Sequence, residues 1–241
     1  MKINLTVLAS LLCSVSAAAQ TLERPDVRAG DTWIYRTTEE KGAAGWSQTH
    51  DELAVTRVTA SAIYFTVKPN GSTQAPKELF MGRDWSRIRD VNGTETMVGQ
   101  PMQFPLSPGK SWTVKFTEDN PNKNFRTETW ENKYNVVGYE DIEVPGGKYR
   151  AVKIEAEGRW SGVLAPAETV VQGAEAHETG TTMSTQVQKR TAREVSGRLY
   201  KAFWYAPEVK RWVKSVEEDY SNGGVRNVRR TTELEAYKPA S

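Results

Sequence analysis

Hydrophobic and polar residues alternate with a period of two along most of this chain. In residues 61–68, Ile63, Phe65 and Val67 alternate with more polar neighbours, and residues 111–117 repeat the pattern around Trp112. Successive side chains of a β-strand point to opposite faces, so this period predicts half-buried strands rather than helices.

The segment Leu199–Tyr220 predicts a β-hairpin at the centre of the fold. Two aromatic-rich runs flank Ala206-Pro207-Glu208-Val209, and Pro207 suits the corner of a tight turn because its ring already holds the required φ. Near this turn the runs are apolar on both faces. A strand of that kind needs cover on both sides, so we expect the remaining strands to wrap around the hairpin.

Turn signals separate the alternating segments throughout the chain. Asn92-Gly93, Pro145-Gly146-Gly147 and Asn222-Gly223-Gly224 each end one run and begin another. The pattern predicts an all-β protein: a strongly curved antiparallel meander sheet, half-barrel or barrel-like, in a single domain over residues 20–241.

Residues 161–197 depart from the pattern because residues 161–188 contain no aromatic side chain. This segment is either a hairpin arm with its tip at Gly173–Gly180 or a mobile insertion. Residues 186–196 also fit one short helix, since Val187, Val195 and Leu199 lie at helical spacings. The hairpin arm, the mobile insertion and the short helix all remain open at this point.

The N-terminus predicts export. Lys2 precedes an apolar run from Ile3 to Val15, and Ala17-Ala18-Ala19 predicts a signal peptide over residues 1–19, cut after Ala19. A lipoprotein signal at Cys13 is disfavoured because the preceding Leu12 is too bulky. Cleavage removes the only cysteine, so we expect a periplasmic or secreted protein without disulfides. No other apolar run approaches the roughly 20 residues of a transmembrane segment.

The charge balance argues against nucleic acid as a partner. The formal net charge is only +2, and Lys2 leaves with the signal peptide. Residues 189–230 are locally basic, with eleven Lys and Arg against five Asp and Glu. If these charges share one face they could meet anionic lipid headgroups or cell-wall polymers; otherwise they form a solvated outer face.

The sequence offers no recognisable catalytic or metal-binding motif. His50 and His177 each lie beside acidic residues, but neither has the convergent ligands that a metal site needs, so we expect surface histidines, no metal and no cofactor. Ser107-Pro108-Gly109-Lys110 spells Ser-x-x-Lys without the partner motifs of penicillin-binding enzymes. We therefore predict no catalytic residues.

The candidate site residues are six aromatic side chains on the predicted strands. They either line an apolar concave face that binds a ligand or form the core. They are Trp33, Tyr35, Phe65, Trp112, Phe116 and Trp204.

Several short motifs resemble those of a family of exported bacterial proteins, the one grouped with TapB-like proteins and related domains of unknown function. The matching pieces are Gly30-Asp31-Thr32-Trp33-Ile34-Tyr35, Phe104-Pro105-Leu106, Gly109-Lys110-Ser111-Trp112, Val144-Pro145-Gly146-Gly147-Lys148-Tyr149, Trp204-Tyr205-Ala206-Pro207-Glu208-Val209 and Trp212-Val213-Lys214. The resemblance covers residues 28–220, with residues 161–197 as an insertion. It implies a periplasmic all-β protein, with a sheet related to the half-barrels of LolA-type lipoprotein carriers. It brings no established reaction.

Three functions are compatible with these observations. The first is a non-enzymatic periplasmic protein that binds a lipid-like or other apolar small molecule in a curved sheet. The second is an interaction module that binds an envelope protein through residues 161–197. The third is a hydrolase with unrecognised carboxylates. The oligomeric state is left open.

Truncating Trp204 tests whether the central hairpin is buried. We expect Trp204→Ala to lower the free energy of unfolding by about 3–5 kcal/mol, as large aromatic truncations in cores do. Urea denaturation measures this loss. A loss below about 1 kcal/mol would instead indicate an exposed indole with a role in recognition.

Overall fold

The computed structural model describes residues 21–177 and 180–241, and the side chains of residues 167–190 lie outside that description. The predicted signal peptide and its cleavage after Ala19 therefore fall outside the described residues. No helix among the described residues is long and apolar enough to cross a membrane.

The described residues form fourteen strands and two short 3-10 turns. The strands are β1 (Thr32–Glu40), β2 (Trp46–Val58), β3 (Ala62–Pro69), β4 (Lys77–Gly82), β5 (Arg87–Val91), β6 (Thr94–Gly99), β7 (Ser111–Asn122), β8 (Phe125–Val144), β9 (Gly147–Leu164), β10 (Ala167–His177), β11 (Gly180–Arg190), β12 (Glu194–Ala206), β13 (Arg211–Ser221) and β14 (Arg226–Lys238). The turns are Gly42–Ala44 and Pro207–Val209.

Ten of these strands form one antiparallel sheet in the order β4-β3-β2-β1-β14-β13-β12-β9-β8-β7. Strands β1–β4 form one meander, and β7, β8, β9, β12, β13 and β14 form a second, which returns to pair with β1. Two further hairpins, β5-β6 and β10-β11, form separate two-stranded sheets.

The all-β antiparallel prediction is confirmed, and the hairpin β12-β13 lies in the middle of the sheet as expected. The sheet is open, with β4 and β7 as its edges, so it does not close into a barrel. The half-barrel curvature stays a prediction.

Residues 167–190 form a hairpin arm. Strands β10 and β11 pair in continuous register from Ala167–Arg190 to His177–Gly180. The alternative helix over residues 186–196 is wrong, because β11 runs to Arg190 and β12 begins at Glu194. Backbone pairing between strands outweighs a helical spacing carried by only a few aliphatic residues.

The core is centred on the corner between β12 and β13. Pro207 opens a single 3-10 turn, and Lys210 ends it in the left-handed conformation with φ 59°. The indole of Trp33 donates to the carbonyl of Val209 at 2.8 Å, and the indole of Trp85 donates to the carbonyl of Lys210 at 3.1 Å. These side chains satisfy backbone groups that a tight turn leaves unpaired inside a core.

Trp85 itself lies in the turn between β4 and β5, since β5 begins only at Arg87. Its φ of 62° is unusual for a bulky residue. The ring is 1% exposed and makes edge contacts with Trp33, Phe65 and Trp212. This packing holds the backbone in the left-handed region.

Trp204 lies on the face opposite Phe203 and is 9% exposed. Its indole donates to Glu140 at 3.1 Å, while the ammonium groups of Lys153 and Lys214 lie 5.3 and 5.9 Å from the ring. Long lysine side chains cover apolar surface with their methylenes, which contributes to the burial of this ring. The expectation that the remaining strands wrap around the hairpin stays a prediction.

A buried carboxylate joins the two ends of the chain near this core. Asp31 is fully buried and accepts hydrogen bonds from Lys210 Nζ at 2.9 Å, Tyr237 Oη at 2.9 Å and the Ala240 amide at 3.0 Å. The Arg28 amide donates to the same carboxylate at 2.8 Å. Burial by itself raises the pKa of Asp31, but these hydrogen bonds outweigh it and lower the pKa below 3.8.

We expect Asp31→Asn to cost about 3 kcal/mol of unfolding free energy near neutral pH, because it leaves the partly buried Lys210 ammonium without its counter-charge. A carboxylate whose folded pKa is lowered stabilises the protein above its unfolded pKa and stops doing so as the pH falls through the folded value. The difference between wild type and Asp31→Asn should therefore be constant above about pH 5 and shrink below about pH 4.

Urea denaturation between pH 2 and pH 7 measures this dependence. The matched control is Asp26→Asn, since Asp26 is an exposed carboxylate that pairs with Arg28, and this change should cost less than about 0.5 kcal/mol. A difference for Asp31→Asn that does not change across the acid range would contradict the assignment.

Candidate functional site

Five of the six predicted site residues belong to the packed interior. The buried ones are Trp33, Tyr35, Phe65, Trp112 and Trp204. Phe116 alone among the six is partly exposed. None of four surface pockets formed by described residues is lined by any of the six. These aromatics therefore give no support to a lipid-sized cavity.

A second group of aromatic side chains lies farther along the same face of the sheet. We call it the distal aromatic surface and define it as Phe116, Phe125, Trp130 and Trp160. Phe116 pairs with Trp130, and Trp130 pairs with Trp160. On each strand the distal residue lies four residues from a core residue: Phe116 from Trp112, Trp130 from Tyr134, and Trp160 from Ala156. No register shift falls between the two rows, so an even spacing places both rows on the same face of the sheet. They therefore continue the core face beyond the core.

The rings of the distal aromatic surface contact one another and remain partly exposed. The indoles of Trp130 and Trp160 stack with centroids 6.0 Å apart and an interplanar angle of 25°. Phe125 meets Trp160 edge to face at 6.3 Å. All four side chains are of intermediate exposure, in contrast to the sealed core.

Glycines on the neighbouring strands allow these rings to lie close to the sheet. A Cβ at Gly197 would stand 2.6 Å from the indole nitrogen of Trp160, and a Cβ at Gly162 would stand 2.8 Å from the ring of Phe125. Both distances are far below any normal carbon contact. Glycine inside a strand is typical of positions where another group approaches the backbone.

Charged side chains lie at one border of the distal aromatic surface. Glu118 and Glu128 stand directly opposite each other on β7 and β8. Arg89 of β5 donates to both oxygens of Glu118, with its Nη1 2.7 Å from Oε1, and its guanidinium lies 5.7 Å from the Phe116 ring.

The two carboxyl groups have opposite pKa shifts. Hydrogen bonding from Arg89 lowers the pKa of Glu118. Burial raises the pKa of Glu128, a hydrogen bond from Trp130 opposes that rise, and the charge of Glu118 adds to it. Like charges directly opposite on neighbouring strands repel each other, which accounts for the Glu118 contribution.

Facing carboxyl groups with separated pKa values are also a feature of hydrolases. Here, however, Arg89 binds both oxygens of Glu118, which leaves that carboxylate engaged rather than available as a nucleophile or base.

The basic run in residues 189–230 does not form a free cationic patch among the described side chains. Most of its basic residues pair with acids across the sheet. The ion pairs are Lys201–Glu217, Lys210–Asp31, Lys214–Glu233, Arg226–Glu40, Arg226–Glu218, Arg229–Glu218 and Arg230–Glu39. Four of the six acidic partners lie outside the run, on β1 or β14 or in the turn before β1, so a count of charges within the run could not include them.

The described side chains contain no group of three His, Cys, Asp or Glu that could hold a metal ion. His50 is exposed, and its Nδ1 lies 2.8 Å from Glu235. The side chain of His177 lies outside the described set.

Opposite the distal aromatic surface, the same strands form an open polar groove of about 680 Å³. Thr129, Ser161 and Ser196 line it, and these residues pair across β8, β9 and β12. The groove carries hydroxyl groups but no buried charged side chain, so it offers no fixed recognition element.

Sequence reasoning found one member of the distal aromatic surface, Phe116, and missed the other three. A signal for them is present in the strand glycines. Gly158, Gly162 and Gly197 interrupt segments that otherwise have strand character, and interior strand glycines indicate close approach of another group. Nothing in the sequence, however, states which group approaches.

Gly197→Ala tests the packing of Trp160 on the sheet. The added methyl group would collide with the Trp160 indole and with the backbone carbonyl of Tyr220, which lies 2.4 Å from the new Cβ. We expect a loss of about 1–3 kcal/mol in unfolding free energy and a reduced near-ultraviolet signal from the Trp130–Trp160 stack.

Gly223→Ala is the matched control, since the Ser221 hydroxyl, the atom nearest to its Cβ position, is 3.8 Å away. It should change neither quantity. Equal behaviour of the two variants in urea denaturation and circular dichroism would contradict the described position of Trp160.

A scan against protein-family models gives no match, and a search of curated proteins gives none either. The chain is similar in structure to a candidate lipoprotein of Parabacteroides distasonis, with 15% identity, a TM-score of 0.42, and coverage of 90% of this chain and 99% of that one.

Two other solved structures are similar over most of the chain. A candidate exported protein of Bacteroides fragilis with a YmcC-like fold has 16% identity and a TM-score of 0.39, covering 91% of this chain and all of that one. The hypothetical lipoprotein YmcC of Escherichia coli has 11% identity and a TM-score of 0.35, covering 89% and 86%. Likenesses this distant assign neither family nor function, and the resemblance to TapB-like proteins stays a prediction.

Proposed function

We propose that this is an exported, non-enzymatic binding protein of the bacterial cell envelope, which holds its ligand on the distal aromatic surface. The observation that carries the proposal is the contrast between two aromatic groups on one sheet face. The core group is sealed, whereas Trp130 and Trp160 are stacked and partly exposed.

Partly exposed tryptophans on an ordered surface support a role in recognition. Removing an indole from water on binding contributes more than removing most other side chains, and Trp is enriched among the residues that dominate binding energy. The fold holds the rings in place through strand pairing and through the glycines beneath them. A rigid surface loses little conformational entropy when it binds.

Export is supported by the predicted signal peptide over residues 1–19, with a cut after Ala19. The absence of cysteine after that cut fits a protein whose stability comes from its core. The lipid-carrier version of the function is less well supported, since five of the six aromatics proposed to line its cavity are buried in the core.

Co-sedimentation with envelope fractions tests this proposal. Purified protein is mixed separately with peptidoglycan sacculi, outer-membrane vesicles and extracted surface polysaccharide from the source bacterium. We expect binding to one fraction, and we expect the double variant Trp130→Ala/Trp160→Ala to weaken it at least tenfold, because each indole contributes a substantial part of the contact.

The control variant is Trp46→Ala, since Trp46 is 70% exposed and lies at the start of β2, outside the distal aromatic surface. It should bind as wild type does. Binding that the double variant retains, with its circular dichroism unchanged, would overturn the proposal, as would the absence of binding to every fraction.

A further inference from the structure

We propose that the ligand of the distal aromatic surface is a neutral polysaccharide built of pyranose rings. This inference rests on the function proposed above and adds the chemical class of the ligand. It depends on three features of the site: the stacked, partly exposed pair of indoles, the polar groups at their border and the sign of the local charge.

The aromatic geometry suits sugar rings. One face of a pyranose presents several C–H groups, whose weak positive charge is attracted to the negative face of an aromatic ring. Trp130 and Trp160 differ in plane by only 25° and their centroids are 6.0 Å apart. The two rings stack on each other, and the part of each ring that remains exposed is where a sugar ring can pack.

The strands beneath the rings carry glycines that let the rings approach the backbone. Trp160 lies against Gly197, and Phe125 lies against Gly162. A partly exposed aromatic surface on a sheet suits a chain that continues past the site at both ends. A lipid tail would instead require an enclosed apolar cavity, which the buried core aromatics do not form.

Polar groups stand where sugar hydroxyl groups would lie. Glu128 accepts a hydrogen bond from the Trp130 indole and has further acceptor capacity. Arg89 is fixed by its bidentate pair with Glu118 and lies over Phe116. The carboxylate accepts hydrogen bonds and the guanidinium donates them. A sugar hydroxyl group can therefore donate to the first and accept from the second.

The local charge favours a neutral chain over an anionic one. Glu118 and Glu128 stand opposite each other with Arg89 as their shared cation, which leaves a net negative charge at this border. An anionic polymer would meet repulsion there, and the basic residues of the central strands already pair with acids. Charge complementarity therefore selects against acidic polysaccharides and anionic lipid headgroups.

Affinity electrophoresis in native gels tests the ligand class. The gels contain hydroxyethyl cellulose, mannan or dextran as neutral probes, and alginate as the anionic probe. We expect at least one neutral polysaccharide to retard the wild-type protein and alginate to have no effect. Vesicles of phosphatidylethanolamine and phosphatidylglycerol serve as the lipid probe in a flotation assay and should not bind.

Three variants assign the binding to this surface. We expect Trp160→Ala to weaken binding at least tenfold, Trp160→Phe less than threefold because an aromatic face remains, and Glu128→Gln about three- to tenfold. Trp46→Ala is the control and should have no effect. Circular dichroism and the thermal midpoint of each variant verify that it is folded.

Several results would overturn the inference. They are failure of every neutral probe to retard the protein, binding to alginate or vesicles alone, and retardation that Trp160→Ala leaves unchanged. Release of reducing ends from a neutral probe, abolished by Glu128→Gln, would replace binding with hydrolysis and also overturn it. If no neutral probe binds while the double tryptophan variant still loses envelope binding, the proposed function stands and only the polysaccharide assignment fails.

Discussion

The fold depends on satisfying a tight backbone corner inside a hydrophobic core. The carbonyls of Val209 and Lys210 accept hydrogen bonds from the indoles of Trp33 and Trp85. The hydroxyl of Tyr35 donates to the carbonyl of Trp212 at 2.7 Å. A buried carbonyl without a partner costs free energy comparable to a lost hydrogen bond. These contacts therefore tie β1 and the turn before β5 to the central hairpin.

The same corner contains a buried cation. Arg211 is 5% exposed, and its guanidinium lies 4.1 Å from the Trp212 ring and 4.7 Å from the Trp85 ring. Burial lowers the pKa of Arg211, while a hydrogen bond to Tyr35 opposes that change. No described carboxylate forms an ion pair with it, so aromatic faces provide much of its stabilisation. Aromatics with this role are not available to a ligand.

The sealed core and the distal aromatic surface consequently occupy different ends of one sheet face. Strands β8 and β9 are 20 and 18 residues long and extend well past the core. Beyond it, Trp130 and Trp160 rest on glycine-containing strands and keep part of their surface in contact with solvent. Strand pairing and the close contact with these glycines hold the rings in place while part of their surface remains exposed.

The sequence by itself determined the strands, the central proline-cornered hairpin and the burial of tryptophans such as Trp33, since alternation and turn residues are local properties. Only the tertiary structure decided that the sheet stays open, that Lys153 lies beside the Trp204 ring, and that Trp130 meets Trp160. Those outcomes depend on which strands become neighbours. Strand order joins residues far apart in the chain, so no local pattern encodes it.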